Sequence, residues 1–148
     1  MKICLACSAG GHLTEIMQLI GALEGRDFFF LTYRHRDSED LKHRKYFVKN
    51  VTRNPITLLK NFIQTFIALV KERPGLIIST GAGVAIPACY IGRFLGAKVI
   101  FIETFCMVTR ASLAGRVAYP IANKFLVQWK GQLKNYGGKA EYKGAVFG

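Results

Sequence analysis

Three stretches of the 148-residue chain carry residue types that could do chemistry. They are Ser8-Ala9-Gly10-Gly11-His12, Thr80-Gly81-Ala82-Gly83, and the acid Glu103 with Arg110 shortly after it. Glycines at the mouth of a helix let backbone N–H groups approach an anion, and the helix adds a partial positive charge. Such turns suit a phosphate or diphosphate. Neither has the G-K-[ST] of a P-loop or the G-x-G-x-x-G of a dinucleotide site, so neither fingerprint is met. A tight turn needing glycine for geometry alone accounts for the same residues. His12 could contact a phosphate, act as a base, or cap the turn. Glu103, one of nine acids, closes the apolar run of Lys98–Ile102. A carboxylate so placed is a general base, a hydrogen-bond anchor, or an ion-pair partner for Arg110.

These stretches need a scaffold that brings them to one edge. Short apolar runs at Lys2–Cys7, Phe28–Tyr33, Leu76–Ser79, Lys98–Ile102 and Lys124–Val127, with a weaker one at Tyr46–Val48, have strand character. Helical periodicity marks Leu13–Leu23, Ile56–Lys71, Val84–Leu95, Leu113–Ile121 and a last segment near Gln132–Tyr136. Continuous apolar strands alternating with helices predict a Rossmann-like α/β domain, a parallel sheet with helices on both faces. Ligands then sit beyond the carboxyl ends of the strands, where all three stretches fall. One domain over residues 1–148 is expected, with no repeat or linker.

Composition narrows the partner. A net charge of +12 on a chain that is 51% hydrophobic points to an anionic partner at an apolar surface, nucleic acid or membrane. The four cysteines fit reduced thiols, and Cys4 and Cys7 sit in a predicted strand where they point to opposite faces. The chain start lacks the features of a signal peptide, and a cytoplasmic location is expected.

Asn54–Lys71 opens with a proline at a helix start. It places Leu59, Phe62, Ile63, Phe66, Ile67 and Val70 on one stripe, with Lys60, Asn61 and Gln64 facing away. It is too short and mixed for a ~20-residue membrane span. Either the stripe faces the core, or it lies in a lipid interface. Seven Lys/Arg against three acids in Arg34–Arg53 favour the lipid interface, since each basic side chain near anionic lipid gains ~1 kcal/mol. Leu59, Phe62, Ile63, Phe66 and Ile67 are the candidate membrane-facing residues.

Three blocks, "SAGGHLTEIMQL", "STGAGVAIP" and "IETFCMVTRASLAGRVAYPIANKFLVQW", resemble in order and spacing a glycosyltransferase subunit family. It is the family of asparagine-linked glycosylation protein fourteen and its bacterial PssD/CpsF-type relatives. The third block is the most specific, with Glu103, Arg110, Ser112, Gly115, Tyr119 and Val127-Gln128-Trp129 together. The resemblance implies the N-terminal half of a split, MurG-like GT-B enzyme. A partner chain would supply the donor-binding half and hold the UDP-sugar, UDP-N-acetylglucosamine foremost. This chain would bind a polyprenyl-diphosphate-linked sugar and bring the pair to the cytoplasmic face of the membrane as a peripheral protein. Ser8, Gly10, Gly11, Leu13, Thr80, Gly81, Gly83 and Arg110 would then hold the acceptor and its diphosphate. His12 and Glu103 are the candidate bases for deprotonating the acceptor hydroxyl, and no metal or other cofactor is expected. The competing expectation is a basic Rossmann-like module that binds nucleotide or nucleic acid without transferase activity. Few aromatic residues interleave the basic loop, which weighs against nucleic acid.

Overall fold

The computed structural model of the chain describes residues 1–147. Seven strands form one sheet in the order β3-β2-β1-β4-β5-β6-β7, with every neighbouring pair parallel. The strands are β1 (Ile3–Cys7), β2 (Phe28–Thr32), β3 (Lys45–Phe47), β4 (Leu76–Gly81), β5 (Lys98–Ile102), β6 (Lys124–Val127) and β7 (Ala140–Tyr142). Between them run α1 (Gly11–Met17), α2 (Arg36–Glu39), α3 (Pro55–Glu72), α4 (Ile86–Phe94) and α5 (Leu113–Ala118). Chain order reverses between β1 and β4, and such a switch point opens a crevice at the strand ends.

The central strands are apolar on both sides because both faces are covered. Leu13 and Ile16 of α1 join Ile3, Leu5 and Phe30 in the core on one face. On the other, Leu69 of α3 and Ala85, Ala88 and Cys89 of the α4 region pack on Cys4, Ile77 and Phe101. Gly92 is required there, since a Cβ would lie 2.6 Å from Ile77 Cγ1. Cys4, Cys7 and Cys89 are buried thiols, and burial, aided in Cys7 by the charge of Glu15, pushes Cys7 up to about 12.

Several boundaries differ from the sequence expectation. The first helix stops at Met17 and gives way to a 3-10 segment at Ile20–Leu23, a stretch weakened by Gly21. α5 ends at Ala118 with Tyr119 still in helical backbone, because Pro120 has no N–H to continue the helical hydrogen bonds. The last expected helix is a 3-10 segment, Lys130–Asn135. Strand β7 and the single turn α2 are too short to leave a periodic signal.

Candidate functional site

β4 runs two residues further than its apolar pattern, so Thr80 and Gly81 belong to the strand and not to the following loop. The β1–β4 register jumps from Ala6 opposite Ser79 to Cys7 opposite Gly81, leaving Thr80 as a bulge. A bulge re-aims a side chain. Here Thr80 Oγ1 donates to the His12 carbonyl at 2.8 Å, and His12 Nδ1 lies 2.8 Å from the Thr80 carbonyl. The two glycine turns are thereby stitched into one site. Gly81 has φ +113°, a conformation that favours glycine, and a Cβ on it would press on His12 Cε1 at 3.2 Å. Ala82 follows with φ 74°, a strained backbone for a non-glycine residue at the mouth of the site.

Gly10, with φ 82°, turns the chain into α1, and no side chain caps that helix. A Cβ on Gly11 would meet nothing within 4 Å, so the space above the turn is open. Ser8 is buried beside it, and the Leu13 side chain enters the core, leaving only its backbone to the turn.

A carbonyl only accepts, so the bond to Thr80 puts the His12 proton on Nδ1 and leaves the lone pair on Nε2. On the protein side of the imidazole stands Glu15, an acid absent from the candidates that sequence patterns supplied. It is 3% exposed, and its Oε2 is 3.9 Å from His12 Nδ1. Oε1 accepts from Thr104 Oγ1 at 2.9 Å and from the Phe105 N–H at 2.6 Å, whereas Oε2 is buried with no hydrogen-bond partner. Burial raises the Glu15 carboxyl above its ordinary value, against the opposing pull of Phe105, Thr104 and His12. The available sequence signal was an acid between the core residues Leu13 and Ile16, one helical turn from a histidine.

Of the roles open to Glu103, its contacts match the hydrogen-bond anchor. It is 1% exposed, and both oxygens are occupied. Oε1 accepts from the Thr104 N–H at 3.0 Å and Ser112 Oγ at 2.7 Å; Oε2 accepts from the Ser112 N–H at 2.9 Å and from the Tyr136 hydroxyl. With each oxygen accepting two hydrogen bonds, it anchors the β5–α5 loop. Burial, then the bond to Glu103, pushes the Tyr136 phenol far above its usual range. Nor does Glu103 pair with Arg110. That side chain is exposed and makes no ion pair among the described residues; its carbonyl accepts from Gln132 Nε2 at 2.7 Å. Trp129 Nε1 donates to the Phe105 carbonyl at 2.7 Å and Asn135 Nδ2 to that of Thr109 at 2.9 Å, so amides and an indole shape the loop.

α3 is inverted. Its buried residues are Asn61, Thr65, Ala68, Leu69 and Glu72. Asn61 Nδ2 donates to the Lys49 carbonyl at 2.7 Å, and Thr65 Oγ1 donates to Asn61 Oδ1 at 3.1 Å. Glu72 accepts from Lys2 Nζ at 2.7 Å and Tyr46 OH at 2.6 Å, so the inward polar groups are satisfied. The apolar stripe faces out: Leu59 60%, Phe62 46%, Ile63 50%, Phe66 43% and Ile67 61% exposed. Phe94 of α4 and Leu113 of α5 extend that face. Between α3, α4 and α5 runs an apolar groove of about 740 Å³, lined by Leu58, Phe62, Tyr90, Leu113 and Val117 and reaching Gly83 of the second turn. The Tyr90 hydroxyl is already spent on the Val117 carbonyl at 2.7 Å. The basic loop is partly neutralised, with Arg34 on Glu39 and Arg44 on Asp27, both at 2.9 Å. No described helix is long and apolar enough to cross a membrane, and no described cluster of three or more His, Cys, Asp or Glu could hold a metal ion.

The family profile described as "Oligosaccharide biosynthesis protein Alg14 like" matches residues 41–146. The UDP-N-acetylglucosamine transferase subunit ALG14 of Candida albicans is 30% identical, over 98% of this chain and 78% of its own. That of Homo sapiens is 23% identical, over 99% and 83%. Among solved structures, MurG of Acinetobacter baumannii superposes with a TM-score of 0.80 at 15% identity, over 98% of this chain and 45% of that one. UDP-GlcNAc 2-epimerase of Methanocaldococcus jannaschii gives 0.79 at 15% identity, over 98% and 46%. The chain thus spans less than half the length of these two enzymes and shares the fold of one half of each.

Proposed function

The chain belongs to the Alg14-like family of oligosaccharide biosynthesis proteins, and from that premise we propose that it is the acceptor-binding half of a two-chain glycosyltransferase. The partner holds the donor, UDP-N-acetylglucosamine, the sugar nucleotide named in the ALG14 relatives. The acceptor is a polyprenyl-diphosphate-linked sugar at the cytoplasmic face of the membrane. The observation that carries this reading is the inverted α3, whose satisfied polar side is buried and whose apolar side is bare and joined by a groove to the glycine turn at Gly83. An apolar face of this size on a basic protein suits an anionic lipid surface.

The diphosphate lies over the open turn at Gly10 and Gly11, with Ser8, the Leu13 backbone and Thr80, Gly81 and Gly83 around it and Arg110 at the rim. The first isoprene units follow the groove, whose lining is almost wholly hydrocarbon and whose Tyr90 hydroxyl is already bonded. His12 Nε2 takes the proton of the acceptor hydroxyl as that oxygen attacks the anomeric carbon. Proton transfer by a positioned base contributes roughly 10²–10⁴-fold.

Reconstitution tests the assignment. The chain mixed with its donor-binding partner transfers N-acetylglucosamine to a short-chain polyprenyl-diphosphate sugar, and neither chain does so alone; robust turnover by this chain alone sinks the subunit role. His12→Gln lowers kcat by roughly 10²-fold or more. Gly11→Val folds, because its Cβ has room, but obstructs the diphosphate and raises the acceptor KM. Phe62→Glu with Phe66→Glu releases the protein from anionic liposomes at unchanged melting temperature. Retained liposome binding would remove α3 from the membrane.

A further inference from the structure

Glu15 is a cost that the fold alone does not explain. A buried carboxylate with one oxygen unpartnered forfeits solvation without full repayment in hydrogen bonds. The other orphan among the described buried side chains, Thr32 Oγ1, is a neutral hydroxyl and costs far less. Leucine at position 15 would extend the apolar cluster of Leu13 and Ile16. Yet the acid sits there, with Oε2 3.9 Å from His12 Nδ1 and Oε1 on the turn at Thr104 and Phe105. Buried acids in this position beside a candidate base recur where charge develops during a reaction.

Resting on the acceptor-half reading above, we propose that Glu15 is a positioning residue of the transfer. Its buried charge faces the Nδ1 edge of His12 and offsets the imidazolium formed during reaction, while Oε1 holds the Thr104–Phe105 turn against α1. In the step itself the acceptor hydroxyl gives its proton to His12 Nε2. The oxygen's electron pair forms the bond to the anomeric carbon, and the anomeric C–O bond breaks with its pair leaving on UDP. Positive charge appears on the imidazole at that moment, with Nδ1–H still donated to Thr80. A fixed carboxylate behind the ring stabilises that state more than the neutral one, which lowers the barrier and not the binding energy of the ground state.

The titratable groups facing this pair are few. α1 contributes Glu15 and His12, β1 ends in the protonated thiol of Cys7, and Glu103 follows β5, its like charge repelling that of Glu15. β4 contributes Ser79 and Thr80, neither of which titrates.

The test uses the reconstituted complex on a short-chain polyprenyl-diphosphate sugar, with the isolated chain for stability. Glu15→Gln keeps an acceptor oxygen for Thr104 and Phe105 and removes the charge. The expected result is a kcat lower by ~10²-fold, the scale of one preorganised charge–dipole contribution, with acceptor KM unchanged within about twofold. Activity requires both groups unprotonated, so the limiting slope of log kcat against pH on the acid side falls from about two to about one in the variant. Glu15→Asp, which keeps the charge with a shorter reach, recovers part of the loss. The chain melts within a few degrees of wild type. Wild-type kcat in Glu15→Gln, or an unchanged acid slope, overturns the proposal. So does unfolding of the variant, which would make Glu15 a structural acid like Glu103. An inactive wild-type complex would instead refute the transferase assignment itself.

Discussion

Glu103 and Glu15 stand on the same edge of the sheet and share a neighbour. The Thr104 N–H donates to one and its hydroxyl to the other. Glu103 takes four donors on two oxygens; Glu15 takes two donors on one oxygen and leaves the second bare beside a histidine. Both are buried, and burial alone would mark both as candidates for chemistry. Saturation separates them. A carboxylate with every lone pair filled has no capacity left for a substrate or a developing charge, and its worth is structural. One that is half filled costs stability and retains the capacity to respond.

The largest effect that tests this contrast is on Glu103. Glu103→Ala strands the Ser112, Thr104 and Tyr136 donors at ~1–3 kcal/mol each, partly relieved by rewetting, for a loss of about 3–5 kcal/mol. Thermal denaturation should show a drop of roughly 10 °C, on a scale of about 2–4 °C per kcal/mol for a chain of this size. If Glu103→Ala melts like wild type while activity disappears, the two acids have exchanged roles: Glu103 serves the reaction and Glu15 the fold.

Gly115→Ala comes next. A Cβ there would lie 2.6 Å from Glu103 Oε2 and would also collide with the Tyr136 hydroxyl, so the hub must spread. Overpacking of this kind costs about 1–3 kcal/mol, read from the urea midpoint at constant slope. A neutral result would mean that the hub is loose, and the contrast with Glu15 would narrow.

The smallest effect is the pH dependence of Glu15 itself. Its folded-state carboxyl titrates above the ordinary value of 4.5, burial being the main cause. Between those two points the folded protein holds a proton that the unfolded chain has lost, so folding is favoured as pH falls. Wild type should gain stability relative to Glu15→Gln as pH drops from the raised value toward 4.5, and the difference should be flat above it. Glu72 supplies the opposite sign: burial pushes it up, but Lys2, Tyr46 and Arg44 together bring it below the ordinary range. Its contribution is therefore lost as pH falls through that lowered value, so the comparison with Glu15→Gln is needed to isolate Glu15. A wild-type curve parallel to that of Glu15→Gln would put Glu15 on the satisfied side of the contrast.

The apolar runs and glycine positions carried the fold a long way. Period-2 and period-3.6 patterns are local properties, so the order of strands and helices, the parallel sheet and the edge holding His12, Thr80 and Glu103 followed from them. The stripe on α3 could also be read residue by residue. Which way it faced could not, because an amphipathic helix has two faces and only its neighbours decide which one is covered. Asn61, Thr65 and Glu72 turn inward because Lys49, Tyr46, Arg44 and Lys2 are there to satisfy them.

The same reason limits the site. By itself the chain determined that two glycine turns, a histidine and an acid would meet at one sheet edge, since strand ends in a parallel sheet point one way. Tertiary structure alone decided that Thr80 bulges to fix His12, that Glu103 is spent, and that Glu15 is not. Those outcomes depend on donors from segments up to about 90 residues apart in the chain, as between Glu15 and Phe105, and no local pattern encodes how many of them reach a given oxygen.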